Sequence, residues 1–180
     1  MITDDRMSDE AQNANGTDFT ALLAFLEETP NQLANSTAGL TSDELRFQTS
    51  LGEFSILENI CHLRDLELQG YTPRIVRILA ESDPSLADFD GARVAAESNY
   101  RNEEPQVALR TFQMARKANV DRLRSLSQEK LARGGMLEGV GRITLSQLAE
   151  KMREHDEGHL DDLRVLRLQL NRRSATEKLP

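Results

Sequence analysis

Residues 144–170 read TLSQLAEKMREHDEGHLDDLRVLRLQL, and the fold is decided by this stretch. Leu145, Leu148, Met152, His155, His159, Leu163, Leu166 and Leu170 fall on one stripe at the spacing of an α-helix, interrupted by nothing. Thr144 followed three residues later by Gln147 supplies an N-terminal cap, so a helix is expected from there to about Arg172. Two of its stripe positions are histidines. Their i, i+4 spacing turns both imidazoles to one face, where they can share an ion. Chance alone gives an H-x-x-x-H pair in about one such chain in thirty, so the pair by itself decides nothing.

Three further rods are expected upstream. Phe19, Leu22, Leu23, Leu26 and Leu33 mark a first helix from a cap at Asp18 to about residue 36, which Pro30 would divide or bend. Thr41 and Glu44 form a second capping pattern, opening a short helical piece through Phe47. A long amphipathic helix is expected from Ser55 to Ala80, kinked at Pro73, which lacks a donor and crowds the carbonyl of Gln69. Val107, Ala108, Leu109, Phe112, Ala115, Val120, Leu123 and Leu126 define another from Pro105 to Leu126. Residues 82–104 read as a long connection with at most a turn of helix, and the glycines between 134 and 141 as a small hairpin or open loop. No useful stretch alternates at period two. The expectation is an all-α, single-domain four-helix bundle with long crossover connections over 17–172, a disordered polar tail at 1–16 and a second tail at 173–180.

Composition bounds the partners. A formal net charge of −8 over 180 residues, with no basic stripe, argues against a protein that grips nucleic acid through phosphates. No apolar run is long enough for a membrane span, no signal peptide is evident and Cys61 is the single cysteine, so a membrane partner is not expected and the cytoplasm is the default compartment. Cys61 reads as a packed, inert thiol. Phosphate-loop and serine-hydrolase motifs are absent, and H-D-E-G-H matches the helical zinc-protease pattern in histidine spacing only.

The third histidine, His62, lies on the second long helix, on a polar strip with Ser55, Glu58 and Gln69 that would line a wet cavity or face solvent. Three imidazoles from two helices make a facial metal site, with the alternative that each is a core histidine satisfied by its own hydrogen bond. Glu58, Asp65, Asp156 and Asp162 lie within a turn or two of these positions and are the candidates for orienting the ligands. Glu157 is placed off the ligand face.

Ser55-Ile56-Leu57-Glu58-Asn59-Ile60-Cys61-His62-Leu63-Arg64-Asp65, then Ala108–Phe112 with Arg116, then Arg142–Leu148 with His155 through Leu160, resemble the DinB-like family in the order and spacing of the three histidines. The resemblance covers residues 18–172. It implies a four-helix bundle, often a homodimer, with a divalent metal (zinc, nickel, iron or manganese) on His62, His155 and His159. It also implies a metal-dependent transferase that activates a low-molecular-weight thiol for attack on a small electrophilic substrate. The alternatives are a hydrolase using water at the same site and a metal-binding or ligand-binding dimer without turnover. Phe54 stands where such proteins often carry tryptophan.

Overall fold

The computed structural model describes residues 5–50 and 53–176, with side chains from Asp18 onward. In chain order its elements are α1 (Asp5–Thr37), α2 (Ser42–Leu45), α3 (Ile56–Asp65), a π-helical turn (Leu66–Tyr71), α4 (Thr72–Ala80), β1 (Ser85–Leu86), α5 (Gly91–Ser98), a 3₁₀ turn (Tyr100–Asn102), α6 (Pro105–Arg124), α7 (Gln128–Leu131), β2 (Gly134–Leu137), β3 (Gly141–Thr144) and α8 (Leu145–Thr176). Four rods make the bundle: α1, the α3–π–α4 unit, α6 and α8. Around the ring, α1 packs on α6 and α8, and α3 packs on the same two, so α1 and α3 stand diagonally opposite. Among the described residues no helix is long and apolar enough to cross a membrane.

The rods depart from the expected ones in physically readable ways. α1 begins at Asp5, well upstream of Asp18, because the preceding residues carry no proline or glycine before Gly16 to stop it; residues 1–4 of the expected tail lie outside the described residues. α8 likewise continues to Thr176, and 177–180 lie outside. Pro30 neither ends nor divides α1. The carbonyl of Leu26, which Pro30 has no N–H to satisfy, accepts instead from Arg116 Nη1 at 3.4 Å. Upstream of Pro73 the helix widens into the π turn 66–71 in place of a simple kink, and Thr72 closes it by donating both its N–H and its hydroxyl, the latter at 2.8 Å, to the carbonyl of Glu67.

Capping follows the sequence. Thr41 and Glu44 form a reciprocal box on α2, Ser55 and Glu58 form another on α3, and Thr144 and Gln147 exchange bonds of 3.0 and 3.2 Å at the start of α8. The small hairpin expected between 134 and 141 is present as antiparallel β2 and β3, and the structure adds what the sequence reading lacked, the two-residue β1, which pairs parallel to β2 to make a three-stranded sheet. Such short strands give no periodic signal. Their pairing requires glycine, since a Cβ on Gly134 would sit 2.2 Å from the carbonyl oxygen of Ile143 and one on Gly135 would sit 2.5 Å from that of Pro84.

Apolar side chains segregate into two clusters. One gathers Leu22, Leu26, Ile75, Ile78, Leu123, Leu148 and Met152 at the sheet end of the bundle, where Leu86, Leu137 and Ile143 cap it. The other gathers Leu33, Ile56, Ile60, Phe112, Leu163 and Leu170 at the opposite end. Between them lies a polar layer of Glu67, Arg116, Asn119 and Asp156, none more than 1% exposed. Arg116 donates through Nε and Nη2 to Glu67 Oε2 at 3.0 and 2.8 Å, and through Nη2 to Asp156 Oδ1 at 3.1 Å, with a further short bond from Nη1 to Asp156 Oδ2. Asn119 Nδ2 completes Glu67 at 2.7 Å. Buried charges persist only when paired in this way.

Phe112 is fully buried, so Phe112→Ala is expected to lower the unfolding free energy by about 3–5 kcal/mol in urea denaturation. Met114→Ala, at a side chain 74% exposed on the same helix, is expected to stay within about 0.5 kcal/mol of the parent.

Candidate metal centre

The histidines converge. His62 on α3 and His155 and His159 on α8 offer ring nitrogens that all lie within 4.8 Å of one another. His155 Nε2 is 3.4 Å from His62 Nε2 and 3.3 Å from His159 Nε2. Zinc–nitrogen bonds of about 2.0–2.1 Å at tetrahedral angles put ligand nitrogens about 3.3–3.4 Å apart, so the donors present fit a small divalent ion.

One tautomer is fixed by the protein. Asn59 Nδ2 donates to the carbonyls of Ser55 and Phe54 at 2.9 and 3.4 Å, which leaves Asn59 Oδ1 as an acceptor facing His159 Nδ1 at 2.6 Å. His159 therefore carries its proton on Nδ1 and directs the Nε2 lone pair at the other two rings. Nδ1 of His62 and Nδ1 of His155 are buried without a hydrogen-bond partner among the described residues. Three clustered imidazoles with unspent polar atoms are a poor way to fill a core, and lone pairs meeting at this spacing favour a shared cation.

His62 is 8% exposed, which corrects the solvent-facing alternative for this residue and for Ser55 and Glu58, while Gln69 of the same strip does face solvent. The chain between 82 and 104 covers it: Phe89 stands 6.0 Å from the His62 ring on one side, and Phe54 stands 5.4 Å away on the other. Gly91, the first residue of α5, presses its backbone on the ring, so that a Cβ there would sit 2.6 Å from His62 Cε1. The long connection is thus a lid with an α-helix and a strand of its own.

Burial drives the electrostatics. It lowers the His62 pKa from the usual 6.5 to about 4, with His159 adding to the effect and Asp65 opposing it. His155 is lowered to about 3, by burial first and then by His159, His62 and Arg116. His159 is lowered by burial and partly restored by Asp156. All three are neutral at pH 7, the form that binds a metal. Cys61 is fully buried and outside the cluster, with burial pushing its thiol up to about 12, as fits an inert packed residue.

None of the four carboxylates considered from the sequence hydrogen-bonds an imidazole in this structure. Glu58 is spent on the α3 cap and on Gln48 Nε2 at 3.0 Å. Asp65 accepts from Arg64 Nε at 2.7 Å and from the Tyr100 hydroxyl at 2.9 Å. Asp156 is fully buried against Arg116. Asp162, exposed, lines a cavity with Thr49, Glu53, Phe54, Val165 and Leu166, and its carboxyl is raised by partial burial and by the neighbouring Asp161 and Glu53. Asn59 takes the orienting role instead. Its position three residues before His62 on one helix was the available signal. Glu157 is exposed, as its position predicts.

In metal-free protein the lowered histidines make stability depend on pH. Above about pH 6.5 these rings are neutral in both states and contribute no slope; below it the unfolded chain takes up protons that the folded chain refuses. Stability is therefore expected to fall as pH drops from about 6.5 toward 4 and 3, and His155→Gln should flatten the melting temperature against pH over that window. Gly91→Ala is expected to displace the His62 ring and weaken divalent-ion binding in a folded protein, read by competition titration with a metallochromic chelator.

A search of curated proteins by sequence gives no match. Among solved structures, the chain is similar to YfiT from Bacillus subtilis, described as "a probable metal-dependent hydrolase with an unusual four-helix bundle topology". The TM-score is 0.78 at 20% identity, covering 85% of this chain and 87% of that one, which establishes the shared four-helix fold. The family model for the DinB superfamily matches residues 25–163, a span that takes in α3, the lid, α6 and all three histidines, and the chain belongs to the DinB superfamily.

Proposed function

We propose that this protein holds a divalent ion on His62, His155 and His159 and uses it to hydrolyse a small-molecule substrate. The observation that carries the reading is the convergence of three neutral imidazoles with Nε2 separations of 3.3 and 3.4 Å, the spacing of a tetrahedral ligand set. Histidine ligation does not select sharply among metals, so zinc, nickel, iron and manganese are all candidates. Bound there, such an ion would supply Lewis acidity, bringing the pKa of a coordinated water or thiol near neutrality. The description of YfiT as a probable metal-dependent hydrolase supports the same reading.

The chain's own residues divide the remaining tasks. Asn59 holds the His159 ring in the tautomer that ligates through Nε2. Phe54 and Phe89 flank His62 and exclude bulk water, which strengthens every charge interaction inside. Asp162 follows His159 by three residues on α8 and lines a cavity with Phe54, the ring that flanks His62, so its raised carboxyl would suit a proton acceptor for a substrate bound there. Glu53 and Asp162 make that cavity acidic, and no basic side chain lines it among the described residues. An acidic cavity beside the site would repel the carboxylates that small biological thiols commonly carry, which supports placing water ahead of the thiol that the family resemblance puts first. Thiol transfer stands second, favoured by the apolar wall of Phe54, Val165 and Leu166, which would shelter a polarisable sulfur.

Metal analysis of untagged protein purified without chelators is expected to find about one divalent ion per chain. Ester and amide substrates should then be turned over without added thiol; turnover of an electrophile only with thiol present would establish the second reading, and a protein without metal would sink both. His159→Ala is expected to cost more than about a hundredfold in metal affinity and Asn59→Ala about 10–100-fold, while Glu157→Ala leaves it unchanged.

A further inference from the structure

Asn59 orients the His159 ring by a hydrogen bond, but His62 has no such partner: its Nδ1 is buried and unbonded among the described residues, while its Nε2 faces His155 Nε2 at 3.4 Å. Packing holds this ring instead. Phe89 stands 6.0 Å from it on one side and Phe54 5.4 Å on the other, with Phe54 braced edge-on by Tyr100 at 6.5 Å, and the backbone of Gly91 closes on Cε1. Phe89, Gly91 and Tyr100 all belong to the lid.

The lid is fastened firmly at its two ends and lightly in between. At its start the carbonyls of Pro84 and Leu86 accept from the N–H groups of Met136 and Glu138 at 2.9 and 3.0 Å, and Arg74 donates through Nε and Nη2 to the Ala87 carbonyl at 3.2 and 2.9 Å. At its end the Tyr100 hydroxyl donates to Asp65 Oδ2 at 2.9 Å, and Arg64 donates to both carboxylate oxygens of Glu103 at 3.0 and 3.3 Å. From Phe89 to Ser98 the hydrogen bonds among the described residues are internal: Asp90 accepts from Arg93 N–H on its side chain and from Val94 N–H on its carbonyl, each at 3.0 Å, and Arg93 Nη1 donates to Glu97 at 3.1 Å. α5 can therefore lift without breaking a hydrogen bond to the bundle. One side chain opposes that motion: between Leu86 and Tyr100 only Val94 is buried among the described residues, in the apolar cluster that also holds Ile60, Leu63 and Tyr100. Asn99, in the left-handed region at φ 48°, makes the sharp turn on which α5 would swing. A segment with few buried apolar side chains and self-contained hydrogen bonds opens locally, far more readily than the whole domain unfolds.

We propose that Val94 is a positioning residue of the metal centre: by seating α5 it presses Phe89 and Gly91 on the His62 ring, so that lid closure and divalent-ion binding form one coupled equilibrium. This rests on the reading of His62, His155 and His159 as ligands. Val94 touches none of them. Lifting α5 removes the packing that sets the His62 ring, and an ion bound to that ring in turn holds α5 down, because coupling between two such events is reciprocal. The apparent affinity is then the affinity of the closed form reduced by the fraction of molecules that are closed.

The test joins a Zn²⁺ competition titration to amide hydrogen exchange over α5 (Gly91–Ser98), both on full-length protein. In the parent, Zn²⁺ is expected to slow exchange in that helix. Val94→Ala is expected to quicken its exchange in the metal-free protein and to weaken Zn²⁺ binding about tenfold, the loss that follows if the shortened side chain leaves the lid shut about a tenth of the time. Val94→Ile keeps the branched apolar contact and should hold the affinity within about threefold of the parent. A merely structural Val94 would lower the melting temperature and quicken exchange in α5 with Zn²⁺ affinity unchanged; that result overturns the proposal, as does exchange in α5 of the parent that Zn²⁺ leaves unaltered. Should Val94→Ala not fold, Phe89→Leu decides, since it removes the ring beside His62 and keeps an apolar side chain: a loss of about tenfold in affinity supports the coupling, and unchanged affinity overturns it. Parent protein that binds no Zn²⁺ would instead remove the ligand reading itself.

Discussion

The guanidinium of Arg116 is the constraint on which the arrangement of the bundle depends. It is buried among four rods and bonded to each of the other three: to the Leu26 carbonyl on α1, to Glu67 in the turn after α3 and to Asp156 on α8. A buried charge tolerates little misplacement, because each lost bond leaves a desolvated polar group. Apolar surfaces of two helices can slide by a turn and still bury similar area; this layer cannot. Irregularities that look like defects on separate helices, a proline inside α1 and a π turn after α3, meet here, since one frees a carbonyl and the other swings in a carboxylate.

The histidines inherit that order. His62 lies one turn before the π segment, and His155 and His159 flank Asp156, so the layer that locks the rods also fixes the separation of the imidazoles. Closure comes from elsewhere. The connection between α4 and α6 lays Phe89 and Gly91 over His62, and the α3 cap places Phe54 on its other side. His62, on a strip that is polar on the isolated helix, thereby becomes interior, and burial keeps its imidazole neutral.

The proposed function draws on the contrast between a largely buried set of neutral imidazoles and an acidic cavity lined in part by Phe54, the ring beside His62. Aromatic rings and the lid flank the ligands, while Glu53 and Asp162 line the cavity one helical turn beyond His159. Under the proposed reading a bound cation would supply the positive charge offered to a substrate, and neither Glu53 nor Asp162 is tied into the buried layer around Arg116. That division separates Asp156, which is committed to Arg116, from Asp162, which is not, although both looked alike along the chain.

By itself the sequence determined the rods, their caps and the three histidines, because helical periodicity, reciprocal Ser/Thr and Glu/Gln pairs and i, i+4 spacing are local properties readable from one segment at a time. The family resemblance carried the step from three separated histidines to one cluster. Only the tertiary structure decided that Asn59 and none of the four carboxylates orients His159, that Asp156 serves Arg116, that the 82–104 connection is a lid and that glycine-bound strands cap one end of the core. Each of these is a contact between segments distant along the chain, and helical spacing gives the direction of a side chain but not the partner that another rod brings to meet it.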